Sequence, residues 1–169
     1  IGLQSTLEAG TRLRIVLPMA LATFRGLLVR AGEGTYVVPR GHVERAVRFR
    51  PDEVRMVQNR EALAFEGRAV ALVRLDAVLG DQARHPGEQT SHREAIILAL
   101  GEQRLAFEVE AVLHEEDVLV KPLRRPIVRA RNIAGAAVLG SGRAIAVLNV
   151  EDLFKSAANP AVSSAPPAQ

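Results

Sequence analysis

The chain has 169 residues and a mass of 18.2 kDa, with 48% apolar, 24% charged and only 4% aromatic residues, enough for one domain or two small fused ones without covalent staples. It contains no cysteine, which excludes disulfide frameworks, thiolate chemistry and cysteine-ligated metal centres. The net charge is only +3 although the pI is near 10.1, and 20 of the 22 cations are arginines mixed with glutamates: this is a solvated surface, not the one-signed stripe of a dedicated nucleic-acid binder.

In chain order, Leu13, Ile15 and Leu17 alternate with Arg12, Arg14 and Val16 and stop at Pro18, a strand pattern. One helical turn is expected over 19–25. Leu27-Leu28-Val29, a Gly32-Glu33-Gly34 turn and Tyr36-Val37-Val38 form a hairpin. Ala69 to Val73 follows a Glu66-Gly67 turn as another strand, and 76–79 reads as a single helical turn. Residues 80–94, holding Asp81, His85, Pro86, Gly87 and His92, have almost nothing to bury and read as a surface connection. A second hairpin comes from Ile96–Leu100 and Leu105–Phe107 around Gly101-Glu102. Val118–Val120 is a short strand stopped by Pro122. A third hairpin joins Ala136–Leu139 to Ala144–Leu148, and 151–155 reads as a closing helical turn. From about residue 156 the chain turns to Ala, Pro and Ser, the composition of a flexible linker.

The chain repeats itself. Leu27, Tyr36 and Val43 recur as Ile96, Leu105 and Val112 at a constant offset of 69, and Gly67 to Leu79 recurs as Gly142 to Phe154 at an offset of 75. Two halves of about 60–70 residues, each built of short strands, are marginal alone. The expectation is an all-β fold of two small barrels, one from each half, joined by an apolar seam of Val, Leu, Ile and Ala.

Chemistry-bearing patterns are sparse. His42, His85, His92 and His114 lack a carboxylate set with ligand spacing, so no metal site is expected. Glu115-Glu116-Asp117 lacks calcium-loop spacing. The glycine turns lack a phosphate-cradling lysine and a following helix, so no nucleotide cofactor is expected. The densest basic stretch, Lys121 to Pro126 with Arg129 and Arg131, has no interleaved aromatics for base stacking. A binding module therefore reads better than an enzyme, with a basic nucleic-acid-binding barrel as the alternative and salt-dependent DNA binding as its mark. No apolar run reaches the roughly 18 residues of a membrane span, and a cytoplasmic location is expected.

Three stretches resemble a known family. They are Leu17-Pro18-Met19-Ala20-Leu21-Ala22 with Leu27-Leu28-Val29 and Tyr36-Val37-Val38-Pro39, then Val57-Gln58-Asn59-Arg60-Glu61 through Gly67, Val70 and Leu75, and lastly Asn132-Ile133-Ala134-Gly135-Ala136-Ala137-Val138-Leu139-Gly140-Ser141-Gly142-Arg143. They are similar to the CheW-like regulatory domain of bacterial chemotaxis histidine kinases of the CheA family. The resemblance implies two SH3-like five-stranded barrels around a shared core, and no catalysis. It assigns residues 19–155 to this domain, with subdomains of about 19–80 and 94–155, 1–18 to the last strand of an upstream ATP-binding kinase domain, and 156–169 to a linker such as hybrid kinases carry before a receiver domain.

The partners it implies are a CheW-like adaptor, the cytoplasmic tip of a chemoreceptor and the kinase domains of the same chain, without nucleic acid and without membrane insertion. Adaptor contact is expected through the first barrel, at Val37, Val38, Val43, Phe65, Leu72 and Arg74. In free-standing CheW proteins an arginine before a glycine turn is associated with receptor contact. The corresponding pair here is Glu66-Gly67, so a receptor surface matched to it would carry the opposite sign.

Overall fold

Ile96 and Ile97 are adjacent in one strand, and both are buried. Neighbouring side chains of a strand point to opposite faces, so this strand has an apolar layer on each side. The computed structural model describes residues 2–6, 10–14, 22–80, 91–121 and 130–158, and it shows how both layers arise.

A short hairpin, β1 (Gly2–Thr6) with β2 (Gly10–Arg14), precedes the main fold. The strand expected near Leu13 thus pairs with the residues just before it. Then come β3 (Ala22–Ala31), β4 (Gly34–Pro39), β5 (Val43–Phe49), β6 (Arg55–Val57), β7 (Arg60–Phe65), β8 (Arg68–Arg74) and helix α1 (Leu75–Leu79). The second half supplies β9 (Arg93–Leu100), β10 (Gln103–Val109), β11 (Ala111–Lys121), β12 (Ile133–Val138), β13 (Ala144–Leu148) and helix α2 (Val150–Ala158).

The two halves exchange their first hairpins. A closed barrel runs β11-β12-β13-β4-β3, and a six-stranded sheet runs β5-β9-β10-β8-β7-β6. Each takes one hairpin from the opposite half, and the junctions match. β3 lies antiparallel to β11 as β9 does to β5, and β4 lies parallel to β13 as β10 does to β8. The expectation of one barrel from each half is therefore corrected: the halves are repeats in sequence but not units in space. The reason lies in the hairpins, whose two faces are both apolar. Ile96, Leu98, Phe107 and Val109 face a central layer, while Ala95, Ile97 and Ala106 face the interior of the six-stranded sheet. A hairpin with two dry faces must be covered twice.

The central layer gathers Leu27, Val29, Val38, Leu75, Leu148, Leu153 and Phe154 from both halves, with the Phe107 and Phe154 rings 6.2 Å apart. The closed barrel is filled by Leu28, Val37, Val118, Ala137 and Val147.

The six-stranded sheet is the same barrel with one strand broken. β11 runs unbroken over 11 residues, and its far end pairs with β12. In the first half that strand is split into β5 and β6 by a 3-10 turn at Pro51–Glu53, and β6 pairs with β7 as the end of β11 pairs with β12. Proline ends the ladder because it has no N–H to donate. Asp52 then pairs with Arg50, and the Arg50 N–H donates to Glu53 at 2.6 Å.

Several local expectations are also corrected. The turn expected over 19–25 is strand from Ala22 onward, because Phe24 and Thr23 extend the β3–β11 ladder. The closing helix continues to Ala158, past the expected start of the linker, because Ser156 and Ala157 are buried. The rest of the tail, most of the 80–94 connection, most of the basic stretch after Lys121, and the junction motif at Leu17–Leu21 lie outside the described residues.

Barrel closure is sensitive to volume at Gly26, where an added Cβ would overlap a Val37 methyl and meet a Val118 methyl at 3.3 Å. Gly26→Ala should therefore cost roughly 1–3 kcal/mol by overpacking, read as a lowered urea midpoint; an unchanged midpoint would show that the barrel wall yields there.

Charge also holds this barrel. Glu115 on β11 accepts from Arg25 Nε at 3.0 Å and from Arg40 Nε at 2.7 Å, and these bonds hold its carboxyl below the ordinary range. Glu116 is lowered too, first by the Gly140 N–H at 2.8 Å and then by His114. Unfolding restores the ordinary value of 4.5, so the unfolded chain takes up protons that the native pair refuses. The stability from these groups is present above that pH and is lost as pH falls through and below it. The urea midpoint should drop on acidification below about pH 5, and Glu115→Gln with Glu116→Gln should flatten part of that drop. An acid limb as steep as in the unaltered chain would count against the linkage.

Candidate functional site

The expected contact residues are distributed over three interiors. Val37 is fully buried in the closed barrel, not in the barrel of β5–β8. Val38, its neighbour on β4, is fully buried in the central layer, where Val43 joins it. Phe65 and Leu72 lie inside the broken barrel. Arg74 ends β8 and pairs with Asp76. The structure thus brings Phe65 together with Leu72, and Val38 with Val43, but forms no single face from the set. Glu66 and Gly67 are exposed and form the two-residue turn between β7 and β8, both with positive φ (48° and 75°), the geometry that lets a tight hairpin follow the strand twist.

Two surface features stand out in the broken barrel. The first is a groove of about 560 Å³ between the β5 side and β7. Its floor is apolar, from Val47, Phe49, Leu63, Phe65 and Ile97. Its rim carries Arg45, Arg48 and Arg55 against Asp52, Glu53 and Glu66. Arg45 lies over the Phe65 ring, 5.5 Å from the centroid, a cation–π contact. Arg48 pairs with Glu94 at 3.4 Å, and Asp52 is held below the ordinary carboxylate range by Arg50.

The second feature is the outer strand β6. Among the described residues the exposed large apolar side chains are Met56, Val57 and Leu113, at 65%, 41% and 42% exposure. Met56 and Val57 are adjacent on β6, which pairs with β7 alone and leaves its other edge open. Sequence reasoning missed this pair. The available signal was a short apolar step just before the Gln58-Asn59 turn, both of whose residues have positive φ.

Behind the groove, Arg93 pairs with Glu108, a carboxylate side chain only 4% exposed, and stacks on Phe49 at 5.3 Å. This pair anchors the end of β5 immediately before the break. On the adjoining edge Glu44 takes a bidentate contact from Arg104, which lowers its pKa.

His42 Nδ1 is 3.4 Å from the Ala99 carbonyl, His92 Nδ1 is 3.1 Å from Ser91 Oγ, and His114 reaches Glu116; His85 lies outside the described residues. Among the described residues no group of three His, Asp or Glu side chains is placed to hold a metal, and no helix is long and apolar enough to cross a membrane.

Residues 25–158 match the family model of the CheW-like domain. The chain is 32% identical over 151 residues to the "Chemotaxis protein CheA" of Treponema pallidum (strain Nichols), covering 89% of this chain and 18% of that protein. It is 32% identical over 155 residues to the "Gliding motility regulatory protein" of Myxococcus xanthus, covering 91% of this chain and 20% of the relative. The chain therefore spans about a fifth of the length of these curated relatives. In fold it is similar to the scaffolding protein TtCheW from Thermoanaerobacter tengcongensis, with a TM-score of 0.62 at 14% identity over 83% of this chain and 94% of that one. With most of its described residues inside the family match, and with paired β-barrels exchanging hairpins around one core, the chain belongs to the CheW-like domain family.

Proposed function

We propose that this chain is the non-catalytic regulatory domain of a CheA-type chemotaxis kinase, and that it docks a CheW-like adaptor through the outer strand of its broken barrel. The observation that carries the surface is the adjacent exposure of Met56 and Val57 on a strand with one free edge. A small apolar centre with arginine around it, here Arg55 and Arg60, has the anatomy of a reversible protein interface. The buried residues Val37, Val38, Val43, Phe65 and Leu72 support this role by holding the barrel in shape, and the bulk of each is already spent on the core.

In the same reading, the exposed Glu66-Gly67 turn faces a chemoreceptor tip of complementary charge. The hairpin of β1 and β2 leads back to the kinase domains of the same chain. These assignments follow the family, and Glu66 and Gly67 are exposed as a contact requires.

Calorimetric titration of the chain with the CheW-like adaptor of its own organism tests the reading. One-to-one binding is expected. Met56→Glu and Val57→Glu should each weaken it by about tenfold or more, because a charge then has to be desolvated at the centre of the contact. Both positions are exposed, so the melting temperature should stay within a few degrees. Undiminished binding by both variants would move the adaptor site elsewhere. Absence of binding by the unaltered chain at roughly 100 μM would remove the adaptor role from the isolated domain.

A further inference from the structure

We propose that the groove of the broken barrel receives an extended acidic segment of a partner protein, which enters as an added strand between β5 and β7. Three observations lead there. The first is the internal repeat. In the closed barrel, the counterpart of this seam is shut by the protein itself: Glu116 on β11 reaches the β12–β13 turn and accepts the Gly140 N–H at 2.8 Å. In the broken barrel Val47 holds the place of Glu116, opposite Ala95 as Glu116 is opposite Gly26, Asp52 and Glu53 are turned back on Arg50, and nothing from β5 bonds to the β7–β8 turn among the described residues. The molecule's second half thus shows the closure that its first half lacks, a carboxylate carried by a strand.

The second observation is backbone availability. β5 has β9 on one side and no strand on the other. In β7, Phe65 and Arg68 flank the two-residue turn and Ala64 lies opposite Ala69. Pairs in an antiparallel ladder alternate between bonded and non-bonded. The pair flanking a two-residue turn is bonded, so Ala64 directs its N–H and C=O away from β8, toward the groove. The ladder from β6 stops at Ala62, and Ala64 is exposed. Two strand edges facing one slot fit a peptide strand, which can bond to both.

The third observation is charge. Asp52 and Glu53 are engaged by Arg50, and Arg48 by Glu94. Arg45 and Arg55 stand on the rim without an ion pair among the described residues, and Glu66 is the one rim carboxylate outside such contacts. The remaining charge is positive and sits beside an apolar floor. The fitting segment alternates apolar residues, directed at Phe49, Leu63 and Phe65, with glutamate or aspartate directed at Arg45 and Arg55.

This inference stands apart from adaptor docking, which uses Met56 and Val57 on β6, because Arg45 lies on β5 and lines only the groove. An Arg45 variant and the β6 variants therefore fail separately. The test uses the full chain and three blocked hexapeptides: one of alternating valine and glutamate, one with lysine for glutamate, and the acidic one N-methylated at alternate amides. Binding is followed by amide NMR shifts and hydrogen exchange. The acidic peptide should shift Ala64 and its neighbours and slow exchange of the Ala64 amide by about tenfold or more. The lysine peptide should bind at least about tenfold more weakly because its charges meet Arg45 and Arg55. The N-methylated peptide should lose binding because an inserted strand is bonded on both edges. Arg45→Ala should weaken the acidic peptide by a similar factor, with a melting temperature lowered by no more than the few degrees that loss of its contact with the Phe65 ring explains. The proposal is overturned by no Ala64 shift at ~5 mM peptide, by equal binding of the lysine or N-methylated peptide, or by a short oligothymidylate competing as a better ligand than the acidic peptide.

Discussion

The fold depends on hairpins that are apolar on both faces. In β9, Ala95 and Ile97 enter one layer and Ile96 and Leu98 enter another, and all four are buried. In β3 and β4, Leu28 and Val37 fill the closed barrel while Leu27, Val29 and Val38 face the central layer. Burying a Leu, Ile or Val side chain is worth about 1.5–3 kcal/mol, so a hairpin covered on one face alone would forfeit half of its apolar contribution. Exchange solves this. Each hairpin serves as wall to the other half's barrel and as one side of the layer between them. The parallel junctions are short, three rungs between β8 and β10 and two between β13 and β4. Side-chain burial therefore carries the join more than the ladder does.

That constraint also explains what was legible in the sequence. Continuous apolar runs such as Leu27-Leu28-Val29 and Ile96-Ile97-Leu98 announce strands covered on both sides, and glycine turns between them announce hairpins. The repeat at an offset of 69 announced that one plan was used twice. The pairing partner of each hairpin was not legible, because a run of apolar residues states that two faces are covered and does not name the cover. The break at Arg50 to Val54 was visible as Pro51 but not as a broken barrel strand. Recognising it requires setting the interrupted segment against the unbroken β11. Contact residues chosen for apolar character, such as Val38 and Phe65, fell in the core for the same reason: hydrophobicity reports burial first. Met56 and Val57 carry the same chemistry and are exposed because β6 lies at an edge, which pairing alone determines.

Buried polar groups hold the ends of this arrangement. Asn132, almost fully buried and with φ at 67°, donates to the Val78 carbonyl at the end of α1 at 2.9 Å and accepts from Ser156 Oγ of α2 at 2.7 Å. It thereby ties the helical caps of the two repeats together. Left-handed backbone is tolerated by asparagine better than by most residues, and a buried amide is stable only where its bonds are made. Arg93 with Glu108 does similar work at the base of the broken barrel, where loss of one partner would leave a buried charge uncompensated.

Duplication followed by one break gives the two barrels different work. The closed barrel has Glu115 and Glu116 fastening β11 to β3 and to the β12–β13 turn, and its interior is filled. The broken barrel keeps the same strand order but has Ala46 and Val47 at the places of Glu115 and Glu116, and its own acidic pair, Asp52 and Glu53, closes the 3-10 turn instead, leaving a slot, a free edge and two adjacent exposed apolar side chains. An exposed strand edge is ordinarily a liability, guarded by charge. Here arginines flank it on both sides, at 45, 48, 55 and 60. They discourage a second copy of the same edge, since like charges would face each other, and favour a partner of opposite sign. Selectivity of this kind comes from where the repeats part: Phe49 and Val118 hold matching places, opposite Arg93 and Phe24, and beyond them β11 runs on into its pairing with β12 while the first half turns at Pro51–Glu53.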